Sequence, residues 1–367
     1  MPSPLPLIIV VEDDPFLRLI QVILDPATPG ERLAAFSHFM AHDEPDFPAW
    51  CARLRARTFN LHPVEVRLVA NEEELLSNLP GAKVVVVEQL PIGKRQIAVA
   101  AQTLKLVQKY GTLTRGIDKA LCKRRGIHVL TVRRRANIAT AEHAFALILA
   151  LARKITQSAN LVSVEQLETA GYSPTVFNRT HTPNGNWARI KGLRTLYGQQ
   201  LGIVGMGEIG REVALRAAAF GMRTVYTQRH RLAKKDEAKY QVRYATLDEL
   251  LGSSDIVSLH LPGGSMTRGM IGARELDILK PGALLVNVSQ PQLVDRAALL
   301  NALRSGKLGG YGLDTFYEEP GASDDPLLAF PNVLITPHLG GSPRFNALSD
   351  FEELLLKISE KLGRPKT

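Results

Sequence analysis

Short apolar runs alternate with amphipathic stretches along most of this chain. Ile8-Ile9-Val10-Val11 opens it as a buried strand leading into a helix. Helical spacing follows at 31–41 and 48–58, then a strand at 64–69, a helix at 71–79, and strands at 83–88 and 104–109. A long helix is expected over 137–154, nearly all Ala, Leu and Ile on one side. Residues 158–198, rich in Thr, Asn, Gly and Pro, read as an extended loop or arm. Beyond it come Leu201-Gly202-Ile203-Val204, a helix at 211–220 stopped by Gly221, and a strand at 223–227. Strands at 255–262, 284–288, 310–314 and 332–336 complete the series, with a helix at 295–304. Strands without internal polar alternation, separated by helical stretches, predict parallel sheets covered on both faces.

Gly205-Met206-Gly207-Glu208-Ile209-Gly210 lies between one of those strands and its helix. In that setting the first glycine makes the tight turn, the second lets backbone approach a pyrophosphate, and the third lets helix pack on strand. The N–H groups of the turn and helix start, around Gly205, Gly207, Glu208 and Ile209, then bind phosphate. The next strand ends at Gln228, followed by Arg229, His230 and Arg231. A carboxylate at that end would repel a 2′-phosphate; an uncharged amide beside arginines pairs with one. NADP(H) is therefore the expected cofactor, with NAD(H) possible.

The chain has 367 residues, 45% hydrophobic and 22% charged, enough for two globular domains. No apolar run approaches the roughly 18 residues of a membrane span. Residues 1–11 lack a secretion signal, and Cys51 and Cys122 make neither a disulfide framework nor a metal site. A cytoplasmic protein without a metal is expected. Net charge is +9, concentrated in residues 91–135, where twelve Lys or Arg face one acid, Asp118. No aromatic interleaving or helix-turn-helix pattern accompanies it, so an anionic small molecule or cofactor phosphates, rather than nucleic acid, are the expected partners.

Glu12-Asp13-Asp14 after the first strand looks like the opening of a response-regulator receiver domain. Such a domain needs a further aspartate ending a later strand. Residues 48–61 offer Trp50, Cys51 and several arginines but no Asp, which excludes that reading.

Taken in order, GIVGMGEIGREVALRAAAFGM, DIVSLHLP with Thr267 and Ile271, LKPGALLVN, GYGLDTFYEEP and TPHLGG resemble the D-isomer-specific 2-hydroxyacid dehydrogenase family over roughly residues 100–341. The resemblance implies a Rossmann cofactor domain at 135–336 and a flavodoxin-like parallel α/β substrate domain formed by 1–134 and 337–367. It places the active site in a cleft between the two and implies a homodimer built on the cofactor domain, with residues 137–198 at its seam. Cofactor contacts are implied at the glycine turn, at Leu261, Pro262 and Thr267, and at Val288, Asp314 and His338. His338 occupies the family's position for the acid–base residue, and Glu319 that of the carboxylate orienting it. A histidine suits proton transfer because its pKa lies near working pH.

Two departures stand out. The family's arginine three residues after Asn287, which grips the substrate carboxylate, is replaced by Gln290, so a charge-assisted bidentate grip becomes neutral hydrogen bonds. The glycine-rich turn that meets the substrate corresponds to residues 110–118, where Thr112 and Leu113 stand and Arg115 is extra. Arg133-Arg134-Arg135 follow in the next loop. One of Arg115, Arg133 and Arg134 is expected to take over anion binding. The expected function is NADP(H)-preferring hydride transfer at a 2-oxo/2-hydroxy acid or related carbonyl compound. The alternatives are a cofactor-sensing binding protein, for which C-terminal-binding-protein corepressors are the precedent, and a reductase of a non-acid carbonyl such as an aromatic one.

Overall fold

The computed structural model describes residues 7–100 and 102–363. Residues 1–6, 101 and 364–367, all within the stretch expected to form the substrate domain, lie outside the described residues. The chain divides into two compact units: everything up to Ala139 together with Gly341 onward, and Thr140–Gly340.

The first unit is a five-stranded parallel sheet of β1 (Leu7–Glu12), β2 (Val64–Val69), β3 (Val84–Val87), β4 (Leu106–Lys109) and β5 (His128–Thr131), in the order β2-β1-β3-β4-β5. This is the flavodoxin-like order. Ile9, Val10 and Val11 are fully buried and pair in register with Val84, Val85 and Val86, because helices cover both faces. The C-terminal helix Phe345–Leu362 presents Leu348, Phe351, Leu355 and Ile358 at helical spacing, all fully buried in the cluster that holds Ile9 and Val11. Phe351 stacks on Tyr110 with ring centroids 5.2 Å apart. Apolar burial thus recruits the end of the chain to the unit formed by its beginning.

The second unit has seven parallel strands: β6 (Gln200–Val204), β7 (Arg223–Thr227), β8 (Val242–Tyr244), β9 (Ile256–Leu259), β10 (Ala283–Asn287), β11 (Leu308–Leu313) and β12 (Val333–Ile335). Their order, β12-β11-β10-β9-β6-β7-β8, reverses direction beside β6, as in the Rossmann fold, and the crevice at that switch point is where such sheets take dinucleotides.

The hydrophobic pattern missed β5, β8 and several short helices, among them Lys119–Arg124 and Lys234–Tyr240. β8 has three residues and β5 is half-exposed, so neither forms a long apolar run. The expected arm carries one more helix, Val164–Thr169. Its start was readable: Ser163 Oγ accepts from Gln166 N, and Gln166 Oε1 accepts from Ser163 N, a reciprocal cap that needs only Ser-x-x-Gln.

Candidate active site

β6 turns into helix Glu208–Ala219 through Gly205-Met206-Gly207. Gly205 has φ +102°, and a Cβ there would lie 2.5 Å from the His260 carbonyl oxygen. At Gly210 a Cβ would lie 2.1 Å from the Gly205 carbonyl oxygen, so only glycine lets helix and turn approach this closely. Gly207 caps the helix, and nothing lies within 4 Å of its missing side chain, which leaves room for a phosphate beside the N–H groups of the first turn. Ile209 packs on the apolar cluster beneath, and Glu208 is half-exposed in the first turn. These residues fit a pyrophosphate-bearing cofactor.

After β7, the Gln228 amide donates to the His230 carbonyl, and Arg229 and His230 are exposed. Arg231 is already engaged: its Nε and Nη2 donate to the two carboxylate oxygens of Glu237 at 2.8 and 2.9 Å. The Tyr226 hydroxyl donates to the same carboxylate at 2.8 Å. The bonds from Arg231 and Tyr226 hold Glu237 at about 2. Of the two arginines expected at the cofactor's ribose end, Arg229 is the one without such a carboxylate clamp.

The loop after β9 carries half-buried Leu261 and exposed Pro262, whose carbonyl accepts from Thr267 Oγ1 at 2.9 Å. His260, buried in the same strand end, shares a 2.8 Å contact with Ser258 Oγ, and burial pushes its pKa down to about 3. It stays neutral inside the fold. Val288 is buried where β10 ends. Gln290 is exposed, its side chain lying against Gly263, while its backbone carbonyl accepts from Asn287 Nδ2 at 2.8 Å.

Glu319 and His338 meet directly. His338 Nδ1 lies 2.9 Å from Glu319 Oε2, and Glu319 Oε1 accepts from Phe316 N at 2.9 Å. Burial resists ionisation of Glu319, but the bonds from His338 and Phe316 prevail and lower its pKa. With Nδ1 committed, Nε2 is the nitrogen left for chemistry, and the imidazole is 61% exposed, so a ligand can reach it.

His338 has φ +57°, a left-handed conformation that costs a residue with a Cβ roughly 1–2 kcal/mol. Asp314 stabilises it. Its backbone carbonyl accepts from His338 N, and its carboxylate accepts from Leu339 N and Gly340 N, all at 2.8 Å. The same carboxylate, 2% exposed, receives Thr336 Oγ1 at 2.7 Å and lies 3.1 Å from His143 Nε2. Burial works against its charge, but the bonds from His143, Thr336 and the two N–H groups win and hold it at about 2. Neither His143 nor Thr336 was among the expected site residues. Thr336 stands 193 positions from His143, and nothing local in the sequence links them.

In the first unit, Thr112 is exposed and Leu113 half-buried in the loop after β4. Arg115 and Arg133 are exposed. Arg134 is not: its Nη1 donates to Glu88 at 2.6 Å, and its guanidinium lies 4.1 Å over the Tyr110 ring. Arg135 pairs with Asp350 and Glu353 at 2.8 and 3.0 Å. Among the described residues no His, Cys, Asp and Glu group is arranged to hold a metal, and no helix is long and apolar enough to cross a membrane.

The model of the "D-isomer specific 2-hydroxyacid dehydrogenase, NAD binding domain" matches residues 145–340. A D-3-phosphoglycerate dehydrogenase of Archaeoglobus fulgidus is 33% identical over 282 residues, 77% of this chain and 50% of that protein. A glyoxylate reductase of Korarchaeum cryptofilum is 37% identical over 244 residues, 66% of this chain and 68% of that one. The chain thus spans half the length of the first and two thirds of the second. Among solved structures, the TT0316 protein of Thermus thermophilus superposes with a TM-score of 0.52 at 30% identity, over 98% of this chain and 99% of that one.

Proposed function

This chain belongs to the D-isomer-specific 2-hydroxyacid dehydrogenases, nicotinamide-dependent oxidoreductases, and from that premise we propose that it interconverts a 2-oxo and a 2-hydroxy acid, or a related carbonyl compound, with NADP(H) preferred. The 2.9 Å Glu319–His338 contact carries this reading. The turn at Gly205, Gly207 and Gly210 would hold a nicotinamide dinucleotide by its pyrophosphate, and that cofactor would supply or accept the hydride at the substrate carbon. In reduction, His338 Nε2 donates its proton to the carbonyl oxygen, and Glu319, ionised beside Nδ1, stabilises the imidazolium that makes the donation possible. In oxidation the neutral imidazole takes the hydroxyl proton. Gln290 offers its amide N–H to the substrate oxygen.

Arg115 and Arg133 are the exposed cations proposed to hold the substrate's anionic group. NADP(H) preference is supported by Gln228 and exposed Arg229 where a carboxylate would disfavour the 2′-phosphate. A cytoplasmic homodimer is proposed, with Val162, Val176 and Tyr197, which are 69–79% exposed along residues 158–198, as apolar surface for the partner to cover. Because Gln290 grips a carboxylate less tightly than a guanidinium, a carbonyl substrate without a carboxylate is the second reading.

Initial rates with NADPH and NADH against a panel of 2-oxo acids, aldehydes and ketones test this. Turnover of at least one carbonyl, faster with NADPH, is expected. His338→Ala should lower kcat by about 10²–10⁴-fold while cofactor affinity stays within about twofold. Turnover undiminished in that variant refutes the acid–base assignment, and a clear preference for NADH refutes the cofactor assignment.

A further inference from the structure

The polar group beneath His338 has no part in the hydride and proton transfers themselves. We propose that His143 is a positioning residue for the acid–base histidine: through Asp314 and Thr336, its Nε2–H completes the clamp that holds the turn carrying His338. The inference rests on Glu319 and His338 being the acid–base pair.

Hydrogen-bond bookkeeping fixes the proton. The single hydroxyl proton of Thr336 goes to Asp314 Oδ1 at 2.7 Å, its contact with the Leu313 carbonyl being far longer at 3.4 Å. His143 Nε2 lies 2.8 Å from that hydroxyl oxygen and 3.1 Å from Oδ1. Both are then acceptors, so Nε2 is the protonated nitrogen. Four donors converge on a carboxylate that offers about four accepting positions. The successive N–H groups of residues 338, 339 and 340 all end on Asp314, one on its carbonyl and two on its carboxylate. A Cβ at Gly340 would lie 2.7 Å from Asp314 Oδ2, so the turn sits directly on the carboxylate. The titratable groups facing Asp314 are His143 from helix Arg135–Ala152 and, at longer range, Glu319.

Without the His143 donor, the carboxylate is left short of one partner and the turn relaxes. His338 then drifts from Glu319, and its imidazolium loses stabilisation.

His143→Leu should lower kcat about 10–100-fold, as expected for a small misplacement of a reacting group, with cofactor Kd within about twofold. The high-pH limb of the reduction rate should move about one unit lower, because the proton donor loses its charge earlier. His143→Gln, whose amide N–H can reach the place of Nε2, should restore most of the rate. Thr336→Val carries the same test should His143→Leu not fold. An unshifted limb and unchanged kcat in a folded variant overturn the proposal, as does a loss confined to cofactor affinity. If His338→Ala keeps its turnover, the acid–base reading itself fails. If His338→Ala is inactive while His143→Leu behaves like wild type, only the present inference fails.

Discussion

The carboxyl ends of the two sheets carry similar side chains and use them differently. In the first unit the acids after β1 and β3 are tied off internally. Glu12 Oε2 accepts from the backbone N–H groups of Glu88, Gln89 and Leu90, Asp13 pairs with Arg18, Asp14 caps Phe16 and Leu17, and Glu88 pairs with Arg134. In the second unit Asp314 is consumed in the same way, but what it holds in place is an imidazole that remains exposed. The lesson is that a cluster of charged residues becomes a site only where some hydrogen-bonding capacity is left over. The receiver-like opening of the chain has spent its carboxylates on loop geometry, whereas Glu319 and His338 retain Nε2 for a ligand.

That contrast breaks most visibly at Glu319. Glu319→Ala should lower kcat by about 100-fold, since an imidazole without its orienting carboxylate loses both its direction and the stabilisation of its charge. Thermal stability should change little, because the residue is 41% exposed. A rate within twofold of wild type would place Glu319 with the merely structural acids.

Acid titration gives the next effect. Asp314 is held at about 2, below its ordinary value of 3.8, so its bonds stabilise the fold above about pH 4 and that stabilisation is lost as pH falls toward 2. The contribution is ~2 kcal/mol. Equilibrium unfolding between pH 5 and 2 should show it, and Asp314→Asn should flatten that part of the curve.

Glu12 is the mirror-image test. Glu12→Ala leaves three N–H groups without their acceptor and should cost about 2 kcal/mol in chemical denaturation, with kcat unchanged. A loss of kcat at unchanged stability would give the first unit's acids a chemical role. The smallest expected effect is at Arg115 and Arg133. Alanine at either should raise KM for an anionic substrate about fivefold and leave kcat alone, the scale of a solvent-exposed charged contact. KM unmoved in both would assign anion binding elsewhere.

The nucleotide turn was readable in the chain because its requirements are local: a strand, three glycines at fixed spacing and a helix lie within a short stretch. The same holds for the buried runs of β1, β3, β9 and β10, which show no polar face and so call for cover on both sides. The resemblance of their surrounding blocks to a family is what put Glu319 and His338 forward as the proposed acid–base pair, and the fold brings them to 2.9 Å of each other.

What the linear pattern left undecided are the pairings made across distance. Arg134 stands in the sequence as one of three candidates for anion binding, and folding gives it a carboxylate 46 positions away, Glu88. His143 sits unremarked on an apolar helix until tertiary packing brings it against Thr336 and Asp314. The physical reason is the same in each case. Period and propensity act over one or two turns of chain, whereas the charge and reach of a side chain depend on which groups, remote in sequence, share its pocket of low dielectric.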